Sequence, residues 1–510
     1  MSKSENSGNT VSVVLISLAG KIITLLGKTM YMAIFGAANP LLNVYDYALN
    51  IPNVVFNCIG TALNTVIIPI YTSLLAKNEN IKAKKFLDNI ISIAMVIITA
   101  LVSIGIVVAP LIALVASDSV YAEHREYLIF ALRVLMPVMV FYGLNYIYQG
   151  ILQSHGQFKL PAAVSAPSGI VIILYLVFFA DKWGITGLIF ATVISLFTQP
   201  AIMFPAIKKL GYKYKFSFDY KDESIKTAGA LTIPVLASVS SYQLNFLFNN
   251  AMALNFGTVS IMIYSQMLVQ TFMLTIVYAI CSVYFPRLSA DWAKGDAGVY
   301  GKSLTELIEY TLFLILPASC GFFLLRYGIM DFLLNWKDGA SSDPILAGNL
   351  LGLYSIGIIA ISMKEVLDKA FYSAKDTKTP AIFGFIIMAV NICVTLLLLN
   401  TLGAYSMPAA YCISAFCGSL GLLFKVNSII NIINKDFLIR IGKIAIATVL
   451  MLIAACGAQL LCDNIYVLNI TVTKLVKLAI PAAVGVVVYA LAGYLVKIPA
   501  LFTLIRKGGK

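Results

Sequence analysis

Two lysines lie inside the first long apolar run of this chain, where charge is costly. Lys21 and Lys28 are seven residues apart in GKIITLLGKTMYMAIFG, so both project from one face of a helix. Asp46 lies in the next apolar run. A charged side chain inside a bilayer costs roughly 3 kcal/mol or more unless it faces water or a polar interior. The spacing predicts the wall of a central polar cavity, whose ammonium groups suit an anionic substrate such as a phosphate or pyrophosphate.

Other interpretations of these three charges remain open from the residues alone. Lys21 is near enough to the start of its run to extend the ammonium group to the cytoplasmic interface. Lys28 is deeper in the run, which makes that interpretation weaker for it. Asp46 either pairs with one of the two lysines or lies near the outer interface of the membrane.

Amide side chains accompany the charges and complete the predicted substrate-binding set. They lie near Asp46 and in two later apolar runs, at Asn43, Asn53, Asn57, Gln243 and Gln266. Amides in a membrane span either hydrogen-bond neighbouring helices together or line a water-filled space. The sequence leaves both roles open for them.

The elements that must position these side chains are membrane helices. Of 510 residues, 60% are hydrophobic and only 12% are charged, too few to cover the surface of a soluble domain. Apolar runs recur along the chain. Only helices and closed barrels satisfy their backbone groups in lipid, and the runs lack the alternating pattern of a barrel. We predict an all-α, polytopic membrane protein with about 14 transmembrane helices, in segments near 11–35, 42–75, 87–116, 126–153, 161–180, 185–207, 227–256, 259–286, 304–326, 346–373, 380–400, 405–427, 439–461 and 474–496.

The net charge of +13 is placed between these segments. Cations concentrated in connections favour topogenic loops and contact with lipid headgroups over nucleic acid binding. Lysine-rich connections alternate with lysine-poor ones, so the positive-inside rule places both termini in the cytoplasm. The connection YKYKFSFDYKDES at 212–224 alternates polar and apolar residues and is predicted to lie on the membrane surface.

No pattern in the sequence indicates catalysis. The two histidines lie near helix ends, and no nucleophile elbow, phosphate-binding glycine loop or metal-spaced cluster is present. The eight cysteines form no CxxC pair and are typical of small buried apolar residues. The prediction is a transporter rather than an enzyme, without cofactor or metal, driven by a gradient or by downhill movement.

An internal repeat divides the chain. SHGQFKLPA around Pro161 aligns with SAKDTKTPA around Pro380, and Gly184 meets Gly403 at the same shift. A repeat of six helices keeps its two copies parallel, and such proteins bind substrate between their lobes and work by alternating access. The predicted division is an N-terminal lobe at 1–222, a C-terminal lobe at 223–430, and the last two helices at 431–510.

These segments resemble the MurJ (MviN) flippase family of the MOP exporter superfamily. AIFGA…NIPN…GTALNTVIIPIY is similar to family sequences that read RIFGA…IPN…EGALSxAFVPVF. GILQSHGQFKLPA, VYFPRLSADWAKGD and LDKAFYSAKDTKTPA follow in the family's order, so the resemblance covers most of the first 430 residues. It implies a V-shaped fold of two six-helix lobes, with a lipid-tail groove in the last two helices. It also implies a bacterial cytoplasmic membrane protein that flips lipid II, the undecaprenyl-pyrophosphate-linked peptidoglycan precursor, from the inner to the outer leaflet.

The chain departs from the family in its charges. Against the family's RxxGFxRD pattern, Lys21 stands at the first arginine, Gly27 at the second and Lys28 at the aspartate. Phe56 replaces an arginine after the PN pair, and Met267 replaces that of an ADR motif. Three arginines are therefore absent and two lysines are present. A lysine still meets a pyrophosphate, with less geometric selectivity than an arginine.

The resemblance also implies an ion site and partners. Some members carry an ion site on the seventh and eleventh helices, where Asn249 would hold the acidic position and Asn391 and Thr395 the rest. A monovalent cation or the membrane potential is the implied driving force. The expected partners are the lipid-linked anionic substrate, membrane lipids and the cell-wall synthesis machinery, and the expected state is a monomer.

Three functions compete at this point. The first is the lipid II flippase of peptidoglycan synthesis, a role that supports cell wall biogenesis and cell shape. The alternative is an exporter of another polyprenyl-linked oligosaccharide or amphipathic solute of the same superfamily. The third is a membrane scaffold for envelope synthesis that transports nothing.

Overall fold

The computed structural model describes residues 3–116, 122–219, 221–335, 343–462 and 469–501. Helices occupy nearly all of these ranges, and no strand is assigned within them. In a chain this apolar, a helix satisfies every internal backbone donor and acceptor within its own segment. The predicted all-α class is confirmed.

Within the described ranges, the first half of the chain forms five long helices and four shorter ones. They are α1 (Lys3–Phe35), α2 (Pro40–Ala76), α3 (Asn80–Ala116), α4 (Arg125–Leu135), α5 (Val138–Ser154), α6 (Lys159–Ala163), α7 (Ser165–Phe178), α8 (Ala180–Lys209) and α9 (Glu223–Leu254).

The second half is also built of long helices, with one shorter helix, Arg326–Leu334, among its described residues. Its helices are α10 (Val259–Ala293), α11 (Ala297–Leu324), α12 (Arg326–Leu334), α13 (Pro344–Ser373), α14 (Lys378–Leu402), α15 (Ser406–Ile430), α16 (Lys435–Cys462) and α17 (Ile470–Leu495). Two single 3₁₀ turns, Ala122–His124 and Gly403–Tyr405, precede α4 and α15.

Several helices begin at a side chain that caps them. The Asn39 side chain accepts a hydrogen bond from the Leu41 amide at the start of α2, and Pro40 takes the first helical position. Asp222 and Asp296 cap α9 and α11 in the same way. These polar residues end the connections and set where each apolar run becomes helical.

Each of the fourteen predicted apolar segments overlaps a helix. Among the described residues, eleven helical segments are long and apolar enough to cross a membrane, and one of them, at 378–430, contains both α14 and α15. Many membrane-spanning helices are therefore present. The number fourteen stays a prediction.

The internal repeat is visible in the backbone. Positions with positive φ recur about 219 residues later, in the pairs Gly36 and Gly257, Asn78 and Gly295, Gly156 and Lys375, Gly184 and Gly403, and Gly211 and Asn431. Gly184 (φ 53°, ψ −146°) and Gly403 (φ 55°, ψ −126°) share a conformation that L side chains strongly resist. The repeat predicted from sequence motifs is thus also a repeat of turn geometry.

The chain divides into two compact units, residues 1–260 and 261–510. In the first unit, α2 packs along α5 and α9, and α1 packs along α7. In the second, α14 packs along α15 and α16 along α17. The lobe boundaries predicted after residues 222 and 430 stay a prediction.

A glycine lets α1 approach α7 closely. A Cβ atom on Gly169 would lie 3.0 Å from the backbone nitrogen of Thr24 and 2.8 Å from Cγ2 of Ile23. A backbone neighbour cannot rotate away, so a side chain at this position would separate the helices. This contact fixes α1, the helix that carries Lys21 and Lys28.

Candidate functional site

A buried ion pair joins α1 to α2. The Lys28 Nζ atom lies 3.5 Å from Oδ1 of Asp46, and the two side chains are only 11% and 3% exposed. The Tyr31 hydroxyl, one turn beyond Lys28, donates a 2.8 Å hydrogen bond to the same Oδ1 atom. Of the two positions left open by the sequence, Asp46 takes the one paired with a lysine.

One carboxylate oxygen of this pair accepts no hydrogen bond. Oδ2 of Asp46 is buried and has no hydrogen-bond partner among the residues that the structure describes. A carboxylate has about four acceptor directions and an ammonium group three donors. The pair is therefore incompletely bonded, and the ammonium group of Lys28 can exchange the carboxylate for another anion at a smaller cost than from a saturated network.

Aromatic side chains position the pair. The rings of Tyr31 and Tyr45 meet edge to face with centroids 5.9 Å apart. The hydroxyl groups of Tyr45 and Thr192 hydrogen-bond at 2.7 Å, which connects α2 to α8. Sequence reasoning missed Tyr31, although its spacing of three residues from Lys28 places it on the same helix face.

Lys21 lies outside this ion pair. Its side chain is exposed, and no carboxylate pairs with it among the described residues. It is two turns before Lys28 on α1. The structure therefore brings Lys28 and Asp46 together and leaves Lys21 available for other contacts.

Asn43 is a packing residue in this conformation. It is fully buried, and its amide donates to the Asn39 carbonyl at 2.9 Å. Its oxygen accepts from the Ser260 amide at 3.0 Å, which fixes the start of α10. Of the two roles open to membrane amides, Asn43 performs the hydrogen-bonding one. Its predicted substrate contact remains untested.

Asn53 and Asn57 form a short ladder on α2. The Asn57 amide donates to Oδ1 of Asn53 at 3.1 Å and accepts from the Tyr146 hydroxyl at 3.0 Å. Both amides are half-buried, so part of each stays open to contact. They stay predicted substrate-binding residues, held in place by α5.

The remaining predicted residues are distributed over both units. Gln243 is half-buried on α9 of the first unit, and Gln266 is buried on α10 of the second. Each stays a prediction.

The positions predicted for an ion carry buried oxygens with no hydrogen-bond partner. Asn391 and Thr395 are one turn apart on α14, are fully buried, and leave Oδ1 and Oγ1 unpartnered. The Asn391 amide donates to Ser414 at 3.4 Å, which turns its oxygen away from that contact. Oδ1 of Asn249, on α9, is also buried and unpartnered. Neutral oxygens suit a hard monovalent cation, with weaker attraction than a carboxylate supplies.

The absent family arginine at position 56 is replaced by an aromatic core. Phe56 is 1% exposed and stacks against Tyr142 and Tyr146 with centroid distances of 6.1 and 6.0 Å. An uncharged side chain packed between aromatic rings thus occupies the position to which the family resemblance assigns an arginine.

An apolar groove lies beside the last two helices. A cavity of about 590 Å³ is lined by α11, α16 and α17, including Phe313, Met451 and Ala482. The Tyr489 hydroxyl donates a 2.7 Å hydrogen bond to the Phe313 carbonyl and joins α17 to α11. The apolar lining suits a hydrocarbon chain, and the role of the last two helices in holding the lipid tail stays a prediction.

Comparison with known proteins supports the fold and the family. A "Probable lipid II flippase MurJ" of Rhizobium meliloti (strain 1021) is 23% identical over 470 residues, 86% of each chain. One from Rickettsia prowazekii (strain Madrid E) is 24% identical over 422 residues, 81% of this chain and 82% of that protein.

Two solved structures share the fold. "Lipid II flippase MurJ, inward closed conformation" has a TM-score of 0.78 at 21% identity, covering 95% of this chain and 99% of that one. An inward-facing multidrug resistance MATE transporter of the MOP superfamily has a TM-score of 0.63 at 15% identity, covering 81% and 98%. The family model described as "Lipid II flippase MurJ" matches residues 32–500, and this multi-pass membrane protein therefore belongs to that family.

Proposed function

We propose that this protein translocates lipid II from the inner to the outer leaflet of the bacterial cytoplasmic membrane. The observation that carries the proposal is the buried Lys28–Asp46 pair in a chain of this family. A cation at that depth is costly in lipid. Such a residue in a membrane span is typical of a pathway through which a charged substrate passes.

Anion exchange at Lys28 is the central step. Its ammonium group leaves Asp46 for the pyrophosphate of the substrate, and the Tyr31 hydroxyl continues to satisfy the carboxylate. Lys21, exposed and without a carboxylate partner among the described side chains, meets the pyrophosphate before Lys28 does. Asp46 later recovers the ammonium group and so favours release. No covalent bond forms or breaks in this cycle, which works by alternating access.

The lipid tail travels outside the polar path. The groove between α11, α16 and α17 is apolar and of suitable volume for part of a polyprenyl chain. Holding the tail there leaves only the headgroup to cross the polar interior. This division separates the apolar and the charged parts of one substrate.

The driving force and orientation complete the proposal. Asn249, Asn391 and Thr395 bind a monovalent cation, or the membrane potential acts on the charged intermediates directly. The lysine-rich connections place both termini in the cytoplasm. The protein acts as a monomer alongside the cell-wall synthesis machinery and has no enzymatic activity.

A second candidate substrate has one observation in its favour. Aromatic packing fills the position of a family arginine at Phe56, and Met267 replaces another. A site with lysines in place of arginines discriminates phosphate geometry less sharply. Another polyprenyl-linked oligosaccharide would be accepted by such a site.

Complementation tests the proposal. A bacterium depleted of its own lipid II flippase is supplied with this chain, and growth and lipid II in the outer leaflet are measured. Rescue is expected from the wild type and from Lys28→Arg, and loss of rescue from Lys28→Ala at equal membrane abundance. Absence of rescue by a well-expressed wild type would contradict lipid II as substrate, and full rescue by Lys21→Ala/Lys28→Ala would contradict the role of the lysines.

A further inference from the structure

The connection after α8 forms an extended strap over the N-terminal part of α3. The strap is the segment Tyr212–Asp219, which contains no helix or strand. The Tyr212 hydroxyl donates to Oδ1 of Asp88 at 2.7 Å, and the Lys215 amide donates to the same atom at 3.1 Å. The Asp219 amide donates to Oδ1 of Asn89 at 3.2 Å. Side chains in the N-terminal part of α3 therefore hold the strap in place.

An apolar groove opens beside the strap. Its volume is about 910 Å³, and α3, α5 and α8 supply its wall. Ile91, Met95, Leu144 and Phe204 are among the side chains that line it. α3, α5 and α8 belong to candidate membrane spans, and the mainly apolar lining of the groove suits a hydrocarbon chain.

Two cations lie at the mouth of this groove. Lys208 and Lys213 line it, are exposed, and have no carboxylate partner among the described residues. By contrast, Lys85 nearby is paired with Asp219 at 3.0 Å and with Asp222 at 3.2 Å. The strap hydroxyl groups are also occupied, since Tyr214 hydrogen-bonds Ser92 at 2.8 Å. Lys208 and Lys213 therefore bring unpaired positive charge to the border of the apolar space, whereas Lys209 and Lys215, which are also exposed, do not line it.

We infer that this groove binds one anionic phospholipid of the cytoplasmic leaflet. An acyl chain occupies the space between α3, α5 and α8, and the phosphate group lies between Lys208 and Lys213. Charge complementarity selects the occupant, because a soluble anion leaves the apolar wall empty and a neutral lipid leaves the lysines unmatched. The exposed aromatic rings of Tyr214 and Phe216 extend the interfacial surface around the headgroup.

The proposed site is separate from the proposed transport path. It involves neither Lys28 nor the groove of α11, α16 and α17, and its readout is lipid retention rather than flipping. A bound lipid would hold the strap, and hence the start of α9, against the N-terminal part of α3. Failure of the lipid site would leave the proposed transport function untouched.

Native mass spectrometry of the full chain in detergent tests this site. Phosphatidylglycerol is titrated in, with phosphatidylethanolamine and glycerol 3-phosphate as competitors. We expect one retained phosphatidylglycerol whose affinity falls roughly tenfold or more in Lys208→Gln/Lys213→Gln, since both cations that face the phosphate group are removed. The matched control Lys209→Gln/Lys215→Gln removes the same charge from exposed positions outside the groove and is expected to bind normally.

A second pair of variants tests the acyl chain. Val96 lines the groove and Ile97 does not, although both are about half exposed on α3, at 47% and 48%. Val96→Trp should weaken phosphatidylglycerol binding, and Ile97→Trp should leave it unchanged. The inference would be overturned if the two lysine pairs weakened binding equally or if Val96→Trp bound phosphatidylglycerol normally. Equal competition by phosphatidylethanolamine, or displacement by glycerol 3-phosphate, would also overturn it.

Discussion

Lys28 and Asp46 lie 3.5 Å apart, on consecutive helices and almost fully removed from solvent. The connection at Gly36–Asn39 turns the chain, so two positions eighteen residues apart in sequence meet side by side. The Tyr31 hydroxyl shares the same carboxylate oxygen. Lys28, Asp46 and Tyr31 thus form one buried, charged cluster that contains two of the predicted substrate-binding residues.

The first prediction concerns the stability of this pair. Asp46→Leu leaves the Lys28 ammonium buried without its partner and should lower the free energy of unfolding by about 3–5 kcal/mol. Adding Lys28→Met should restore most of it, because replacing both partners by apolar residues of similar size is often neutral. Equilibrium unfolding in detergent measures both, with Lys21→Met as the exposed control. Equal stability of the single and double variants would show that the pair is not coupled.

The second prediction separates stability from transport in the same variants. Lys28→Met/Asp46→Leu should be folded and inserted but unable to rescue flippase-depleted cells, since the buried cation that is proposed to receive the pyrophosphate after Lys21 is gone. Lys28→Arg should rescue. Rescue by the apolar double variant would assign the pair a purely structural role.

The third prediction concerns the repeated turn at Gly184. Its φ of 53° with ψ of −146° disfavours any side chain, so Gly184→Ala should destabilise the protein by about 1–3 kcal/mol although no atom lies within 4 Å of the new Cβ. Gly442→Ala is the matched control, because it also meets open space but lies within α16. There alanine should be neutral or stabilising by roughly 0.5–1 kcal/mol. Thermal unfolding that moves equally in both variants would contradict the conformational argument.

The fourth prediction concerns acid release of the strap. A hydrogen bond from Lys85 holds the pKa of Asp219 below its ordinary value. A carboxyl group with a depressed pKa stabilises the folded state above its unfolded pKa of about 3.9, and loses that contribution as pH falls through the lower folded value. The protection factors of the amides across 212–219, which are exchange rates corrected for their intrinsic pH dependence, should therefore fall below about pH 4.

The matched variant for this test is Asp219→Asn. It should show faster exchange of the strap already at pH 7 and a smaller change on acidification. Exchange in the variant that follows the wild-type pH curve would mean that another group controls the strap. Asp222, which also pairs with Lys85 at 3.2 Å, is the next residue to substitute.

The fifth prediction tests the groove of the last two helices. Ala482 lines the cavity between α11, α16 and α17, and its neighbour Ala483 is exposed but does not line it. Ala482→Trp should reduce rescue of flippase-depleted cells at normal membrane abundance, while Ala483→Trp should not. Equal rescue by both variants would argue against a lipid tail in this cavity.

Apolar runs and motifs alone predicted the all-helical architecture, the repeat and the family. Backbone groups in lipid have few solutions, so composition is enough to predict helices. Lys21, Lys28 and Asp46 were identified because charge in an apolar run is conspicuous. The matched glycines Gly184 and Gly403 already indicated the shared turn that the backbone shows.

The partners of those residues were decided by tertiary structure. Whether Asp46 met a lysine, and which one, depended on the turn between α1 and α2 and on the phase at which the two helices pack. Asn43 was predicted as a substrate-binding residue, and only the tertiary structure shows that its side chain also hydrogen-bonds the backbone of Asn39 and Ser260. The strap at 212–219 had an alternating pattern, yet only the positions of Asp88, Asn89 and Ser92 on α3 determined where it lies. Periodicity specifies which face of a helix a residue occupies, whereas packing between helices specifies what that face meets.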